Sequence, residues 1–260
     1  MAPIDEADTS DAQLHYFRAV SNRIEGECKR RRINFYGCES VSDAQRTVVG
    51  LVSGFRSSKG ITRIGFGDSV TLHQLDIFNK LKAIPNIELL NPFERTEDGK
   101  YTVFGRQPPG RLDLPKDEYF ALMGRVFDRM RESLLADIFI VGANAITRRG
   151  QIVSTDGVGN RVGGMIFGPR RVIIVVGKNK ITEDVDSAIR RNRDVAAPLN
   201  YFRHNEKHHN RFENPCMKLG HCADCLSERR ACWNTVIIDG AIEFHKDRLH
   251  LVLVNENLGL

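Results

Sequence analysis

Four cysteines fall close together near the carboxyl end of this 260-residue chain: Cys216, Cys222, Cys225 and Cys232, spaced C-x5-C-x2-C-x6-C. Thiolates are soft ligands, and four of them complete a tetrahedral zinc site or hold an iron–sulfur cluster. The C-x2-C pair can chelate from a single turn. In an intracellular chain such a cluster favours metal over disulfide, with separate buried or redox-active thiols as the competing reading. His221, beside Cys222, is an alternative ligand or a surface residue. His204, His208 and His209 lie just upstream in a segment, residues 200–215, that reads as a polar loop. Cys28 and Cys38 stand apart, and Cys28 sits at an apolar helical position that reads as core.

Two glycine-rich stretches form a second kind of chemistry. In the first, Gly65-Phe66-Gly67-Asp68-Ser69 follows a short apolar run. A strand-to-helix turn of this kind offers backbone N–H groups to an anion, or simply caps its own helix through Asp68 or Ser69. It lacks the terminal Gly-Lys-Ser/Thr of a Walker loop and the third glycine of a dinucleotide fingerprint. In the second stretch, Asn144, Thr147, Asp156, Gly157, Asn160 and Arg161 put a carboxylate, amides and a guanidinium on Gly-rich loops. An Arg fork matches a carboxylate or phosphate. Asp156 can orient that Arg or act as a general base. A turn network satisfied within itself is the alternative. Lys178 and Lys180 add positive charge to the same edge or stand in solvent.

The elements that must position these residues are legible as periodicity. Ile138–Val141 and Val172–Val176 are short β-branched runs ended by glycine, the pattern of buried parallel strands. Helices are expected over 12–32, from Ser42-Asp43 to Phe55, after Ser69 through Phe78, over 116–135, and from Thr182-Glu183-Asp184 to Val195, where Pro198 stops it. Further strands are expected at 31–37, 61–64, 87–90, 235–238 and 249–254, the last two closing the sheet. Residues 1–11 read as disordered, and 91–116 as a hairpin or lid around Tyr101–Phe104. The alternation predicts an open, mostly parallel α/β sheet with helices on both faces and the site at the strand ends.

Composition is that of an ordinary globular chain. Net charge is +5, with basic clusters at Lys29–Arg32 and Arg190–Arg193, but no nucleic-acid motif accompanies them. No apolar run approaches the roughly 20 residues of a membrane span. The first residues lack the basic and apolar regions of a secretory signal, so a cytoplasmic protein is expected.

The runs GANAIT (142–147) and GQIVSTDGVGNRVGGMIFGPRRVIIVVGKNKI (150–181), with GFGDSVTL (65–72) upstream and RNRDVAAPLN (191–200) downstream, resemble the LUD-domain, or lactate-utilisation, family. Its clustered-cysteine branch carries PC–TG–C–DC–C and then a terminal LG. Here these are Pro215-Cys216, Cys222, Asp224-Cys225, Cys232 and Leu258-Gly259. The resemblance spans roughly residues 15–260. It implies a fold similar to sugar-phosphate isomerases and CoA transferases, here one LUD-type domain over 12–260. That domain has an N-terminal helical portion (12–58) and a cysteine-rich metal-binding segment (214–233).

The resemblance also implies a role near lactate oxidation beside iron–sulfur partner proteins, and so favours a 4Fe–4S cluster over zinc. Two departures stand out. Arg148-Arg149 occupies a loop where many members carry an acidic residue, and Leu219-Gly220 replaces the usual TG. The leading expectation is a metal-binding protein of organic-acid oxidation that holds an anionic small molecule and works with a redox partner. A self-contained transferase, ligase or isomerase with structural zinc, or a non-catalytic assembly subunit, are the alternatives.

Overall fold

The computed structural model describes residues 6–56, 60–98, 100–103, 114–208 and 212–260. In chain order the elements are α1 (Ser10–Arg30), β1 (Asn34–Cys38), α2 (Val41–Phe55), β2 (Thr62–Phe66), α3 (Val70–Gln74), α4 (Ile77–Lys82), β3 (Ile87–Leu90) and α5 (Lys116–Ser133). The central stretch supplies β4 (Ile138–Gly142), β5 (Ala145–Thr147), β6 (Ile152–Asp156), α6 (Asn160–Ile166) and β7 (Arg171–Gly177). The remainder is β8 (Ile181–Thr182), α7 (Val185–Arg191), α8 (Ala197–His208), α9 (Pro215–Leu219), β9 (Asn234–Ile238) and β10 (Leu249–Val254).

Six strands form one sheet in the order β1-β10-β7-β4-β2-β3, and every pairing in it is parallel. The β-branched runs form its centre because both of their faces are covered. On one face Val172, Ile174, Val176, Leu249, Leu251 and Leu253 pack against Phe17, Val20 and Ile24 of α1. On the other, Ile173, Val175, Val252 and Val254 meet Ala44, Val48 and Val52 of α2 and the apolar residues of α3 and α4. Alternation along each strand assigns residues to the two layers, as the pleat requires. Ser40 starts α2 by accepting the Asp43 N–H at 3.1 Å, and Asp184 starts α7 by accepting the Ser187 N–H at 2.8 Å.

The structure departs from the expected elements at four places. Ser10 and Asp11, expected disordered, already belong to α1, where the Asp8 carboxylate accepts the Ser10 N–H at 2.9 Å. The helix after Ser69 is two helices, divided at Asp76, whose φ of 50° is a left-handed conformation that Asp tolerates. Pro198 does not end the helical run. A wide π turn, Asn192–Ala196, joins α7 to α8; Pro198 then falls in the first turn of α8, where a missing N–H costs little. Residues 200–208 are therefore helix rather than loop. Finally, β9 does not close the main sheet. It pairs antiparallel with β6 in a second sheet ordered β8-β5-β6-β9. Of the expected lid, Arg95 and Tyr101 form one antiparallel bridge, and 104–113 lie outside the described residues.

Gly65 marks a close approach of helix to sheet. A Cβ placed there would lie 2.5 Å from the Ser133 carbonyl oxygen and 2.9 Å from its Cβ. Gly65→Ala should push α5 off β2 and cost about 1–3 kcal/mol, the usual range for overpacking. Urea unfolding checks this, and an unchanged midpoint would mean that α5 yields freely.

Candidate functional site

The carboxyl ends of four parallel strands open into one cavity of about 260 Å³. Asp68 and Ser69 follow β2, Gly142, Ala143 and Asn144 end β4, Lys180 follows β7, and Gly259 and Leu260 follow β10. The wall is completed by Asp156, Gly157, Asn160 and Arg161 after β6, by Asn192, Arg203 and His204 of the π turn and α8, and by Cys232. The two glycine-rich stretches thus meet, although about ninety residues separate them in sequence. Gly65, Gly67 and Thr147 do not line the cavity. Gly65 serves helix packing, as described above. At Gly67 a Cβ would come within 2.5 Å of Val141 Cγ2 and 2.8 Å of Arg161 Cγ, so this glycine lets the Arg161 stem cross the end of β2. Thr147 is buried in the β5–β6 turn, where its hydroxyl accepts the Arg149 and Gln151 N–H groups at 3.2 and 3.1 Å.

Asp156 and Arg161 form a tight local unit. The Asp156 carboxylate accepts the Gly157 N–H at 2.8 Å and the Arg161 N–H at 3.0 Å, one at each oxygen. Gly159, at φ 97°, turns the chain into α6. The Arg161 guanidinium donates to the Thr155 carbonyl at 2.6 Å and stands 3.7 Å from Asp156. Asp156 therefore shapes the loop, and Arg161, held at the Thr155 carbonyl, lines the cavity. Asn144 is used in the same way: its amide oxygen accepts the Ser154 hydroxyl at 3.1 Å and the Thr155 N–H at 2.8 Å.

Three further cavity residues carry chemistry; of these the sequence pointed to Lys180 as a charge at this edge, and Asn192 and Arg203 were not singled out. Lys180 is buried, and its Nζ donates to Thr71 Oγ1 at 3.1 Å and to the Ala143 carbonyl at 3.0 Å. Burial, reinforced by the Arg191 and Arg161 charges, lowers its pKa from 10.5 to about 7. Lys178 instead reaches Asn255 at 3.1 Å. Asn192 is 1% exposed; its amide nitrogen donates to Thr155 Oγ1 at 3.1 Å, while its Oδ1 has no partner among the described residues. Arg203 lies 3.9 Å from Asp68, and its Nε has no acceptor among the described residues. The available signals were slight: a lysine just past the central strand, and an Arg and Asn beside an Ala-Ala-Pro break.

The cysteine segment packs along one side of this cavity. Gly157 lies against Ala231, with a would-be Cβ 3.2 Å from Ala231 Cα. Burial and then the nearby Cys225, Cys232 and Cys222 thiols push the Cys216 thiol pKa up. Arg230 ties the segment together, donating to the Cys225 carbonyl at 2.7 Å and to the Cys232 carbonyl at 3.3 Å. Yet among the described residues no three His, Cys, Asp or Glu side chains converge as a metal ion requires. The thiols in this arrangement do not fit a closed four-thiolate centre. His221 contacts its own loop at the Leu219 carbonyl, 3.1 Å away. His209 lies outside the described residues. Arg148 pairs with Glu183 at 3.0 Å, away from the cavity lining.

The lowered Lys180 pKa has a signed consequence. The unfolded chain keeps this proton up to about 10.5, while the folded chain releases it from about 7. Between those values the unfolded state binds more protons, so stability rises with pH. Wild type should gain about 2 kcal/mol relative to Lys180→Met between pH 7 and pH 9. Urea unfolding of both proteins at the two pH values measures it; parallel behaviour would mean an ordinary, solvated ammonium.

No curated protein sequence matches the chain. Among solved structures it is similar to a DUF162 family protein from Deinococcus radiodurans, with 10% identity and a TM-score of 0.42 over 92% of this chain and 98% of that one. It is also similar to eIF2B delta from Chaetomium thermophilum, with 12% identity and a TM-score of 0.29 over 73% of this chain and 60% of that one. No helix among the described residues is long and apolar enough to cross a membrane. The LUD domain profile matches residues 21–254, nearly the whole chain, and the protein belongs to the LUD domain family.

Proposed function

We propose that the protein binds a small organic-acid anion in the cavity at the strand ends and serves lactate-type oxidation in the cytoplasm together with an iron–sulfur redox partner. The observation that carries this reading is the convergence of Arg161, Arg203 and Lys180 on one cavity of about 260 Å³. Among the described residues the carboxylate side chains that line the same space are Asp68 and Asp156, and Asp156 is already engaged by two backbone N–H groups. A carboxylate ligand supplies the acceptor that Arg203 Nε lacks, and a guanidinium meets it bidentately. The volume suits a molecule of a few carbons better than a nucleotide.

The cysteine segment enters this reading as a metal site through its C-x5-C-x2-C-x6-C spacing, with an iron–sulfur cluster preferred to zinc, and its thiols must draw closer around the metal than they stand here. No step of the reading runs through that metal. The low-lying Lys180 amine favours the competing view, a self-contained enzyme on the same fold. Turnover of an organic acid without any electron acceptor would select it.

Calorimetric titration with lactate, pyruvate and oxalate, against neutral lactamide, tests the anion site. Arg203→Ala and Arg161→Ala should each weaken anion binding about ten- to a hundredfold, the range for a charge-assisted hydrogen bond. Equal binding of lactamide, or unchanged affinity in both variants, would sink the reading. Metal analysis of anaerobically purified protein tests the cysteine segment separately. Iron with sulfide, or one zinc per chain, should be lost in a Cys222→Ser, Cys225→Ser variant. Metal-free wild type would remove the cofactor from the proposal.

A further inference from the structure

We infer that the Lys180 amine is a nucleophile that forms an imine with small 2-oxo acids held in the cavity. The inference rests on the anion-binding reading above and adds the atom at which chemistry occurs.

The hydrogen bonds at Nζ are the first support. Thr71 Oγ1 and the Ala143 carbonyl accept from it at 3.1 and 3.0 Å. Two acceptors match the two hydrogens of a neutral amine and leave its lone pair unused. An ammonium would carry a third hydrogen. Among the described residues no carboxylate forms an ion pair with Lys180. The charged groups that bear on it are the Arg191 guanidinium from α7 and the Arg161 guanidinium from α6, both of which disfavour the ammonium. Asp68 and Asp156 line the cavity elsewhere, paired with Arg203 and Arg161. A desolvated lysine beside other cations is the recurring setting of amine nucleophiles.

The fold holds this amine in place. A Cβ at Gly259 would lie 2.6 Å from Nζ, so the tail backbone passes directly against it. Arg191 fixes the surrounding loops, donating to the Asn144 carbonyl at 2.7 Å, the Asn179 carbonyl at 3.1 Å and the Leu260 carbonyl at 3.3 Å.

The second, independent support is Asn192, a residue 1% exposed that lines the same cavity and whose Oδ1 has no partner among the described residues. Such an atom is costly unless something fills its need. It suits a donor on the ligand, such as the hydroxyl of a carbinolamine. Arg203 Nε, also without an acceptor, suits the carboxylate. An electrophilic carbonyl beside a carboxylate answers amine and guanidinium together, which a simple aldehyde does not.

The step balances without oxidant or reductant. The Nζ lone pair attacks the carbonyl carbon, and the carbonyl oxygen takes a proton to give a carbinolamine. Its C–O bond then breaks as the hydroxyl takes the proton nitrogen still carries, and oxygen leaves as water holding both former amine hydrogens. Hydrolysis reverses each bond change.

The test is reductive trapping on the wild-type protein. Pyruvate is added with cyanoborohydride, which converts an imine to a stable secondary amine, and the adducts are located by peptide mass spectrometry. Adduct at Lys180 should form at least about tenfold faster than at exposed lysines such as Lys29 and Lys80, because only a desolvated amine is uncharged near neutral pH. Oxalate, which has carboxylates but no ketone, should block it, and Lys180→Arg should abolish it. Calorimetric binding of oxalate is measured in parallel. Oxalate binding with no adduct at Lys180 overturns the imine and leaves the anion site standing. Adducts spread evenly over exposed lysines also overturn it. Neither binding nor adduct removes both proposals. Because the wild-type adduct map is decisive by itself, an unstable variant does not obscure the answer.

Discussion

The whole arrangement depends on burying both faces of β7 and β10. Every residue of β10 and all but the first of β7 are buried. A parallel sheet cannot turn one face to water, so α1, α5 and α6 must cover one side and α2 to α4 the other. That coverage consumes the sides of the sheet and leaves its carboxyl edge open. All six strands of the main sheet run the same way. Their loops are therefore gathered at one edge whatever their sequence positions, and polar residues from 68 to 260 come to share one cavity.

Arg191 converts that gathering into a fixed shape. Its single guanidinium bonds carbonyls from the loops after β4 and β7 and from the tail. Burial lowers its pKa, yet a guanidinium keeps its proton in proteins. The cation therefore persists in the wall, and three backbone acceptors offset its desolvation. Asn144 and Asp156 act similarly from the other side, holding β6 and the start of α6 with side-chain oxygens. Residues that look reactive in the sequence are thus partly used up as scaffolding, while Arg203 Nε and Asn192 Oδ1 have no partner among the described residues.

What was legible in the sequence follows from whether the cause was local. The runs IFIV and VIIVV declare buried strands because a strand covered on both faces has no polar positions. The glycines of 65–69 and 157–163 declare loops that need close approach or positive φ. The continuation past Pro198 was not legible, because the π turn that accommodates the ring is a tertiary outcome of packing Asn192 and Ala196 inward. Nor was the second sheet: TVII reads as a strand, but nothing local says that β6 rather than β1 is its partner. The burial of Lys180 at that edge was hidden for the same reason. A lysine in the turn KNK looks solvated, and it is buried only because Thr71, Ala143 and the 258–260 tail close over it from distant parts of the chain.

The remaining tension lies between the amine and the anion. A carboxylate ligand placed next to Lys180 would favour the ammonium and so suppress a nucleophile, since an opposite charge within a few ångströms stabilises the charged form. The cavity resolves this by supplying more cations than the ligand needs. Arg203 and Arg161 can neutralise the carboxylate with guanidinium forks that match its geometry. Lys180, a cavity cation whose proton burial loosens, would then face the carbon next to the carboxylate rather than the carboxylate itself. Had arginine stood at position 180, the cavity would bind anions equally well and have no lone pair to offer. Had lysine stood at 203, the same desolvation would threaten the charge that holds the ligand.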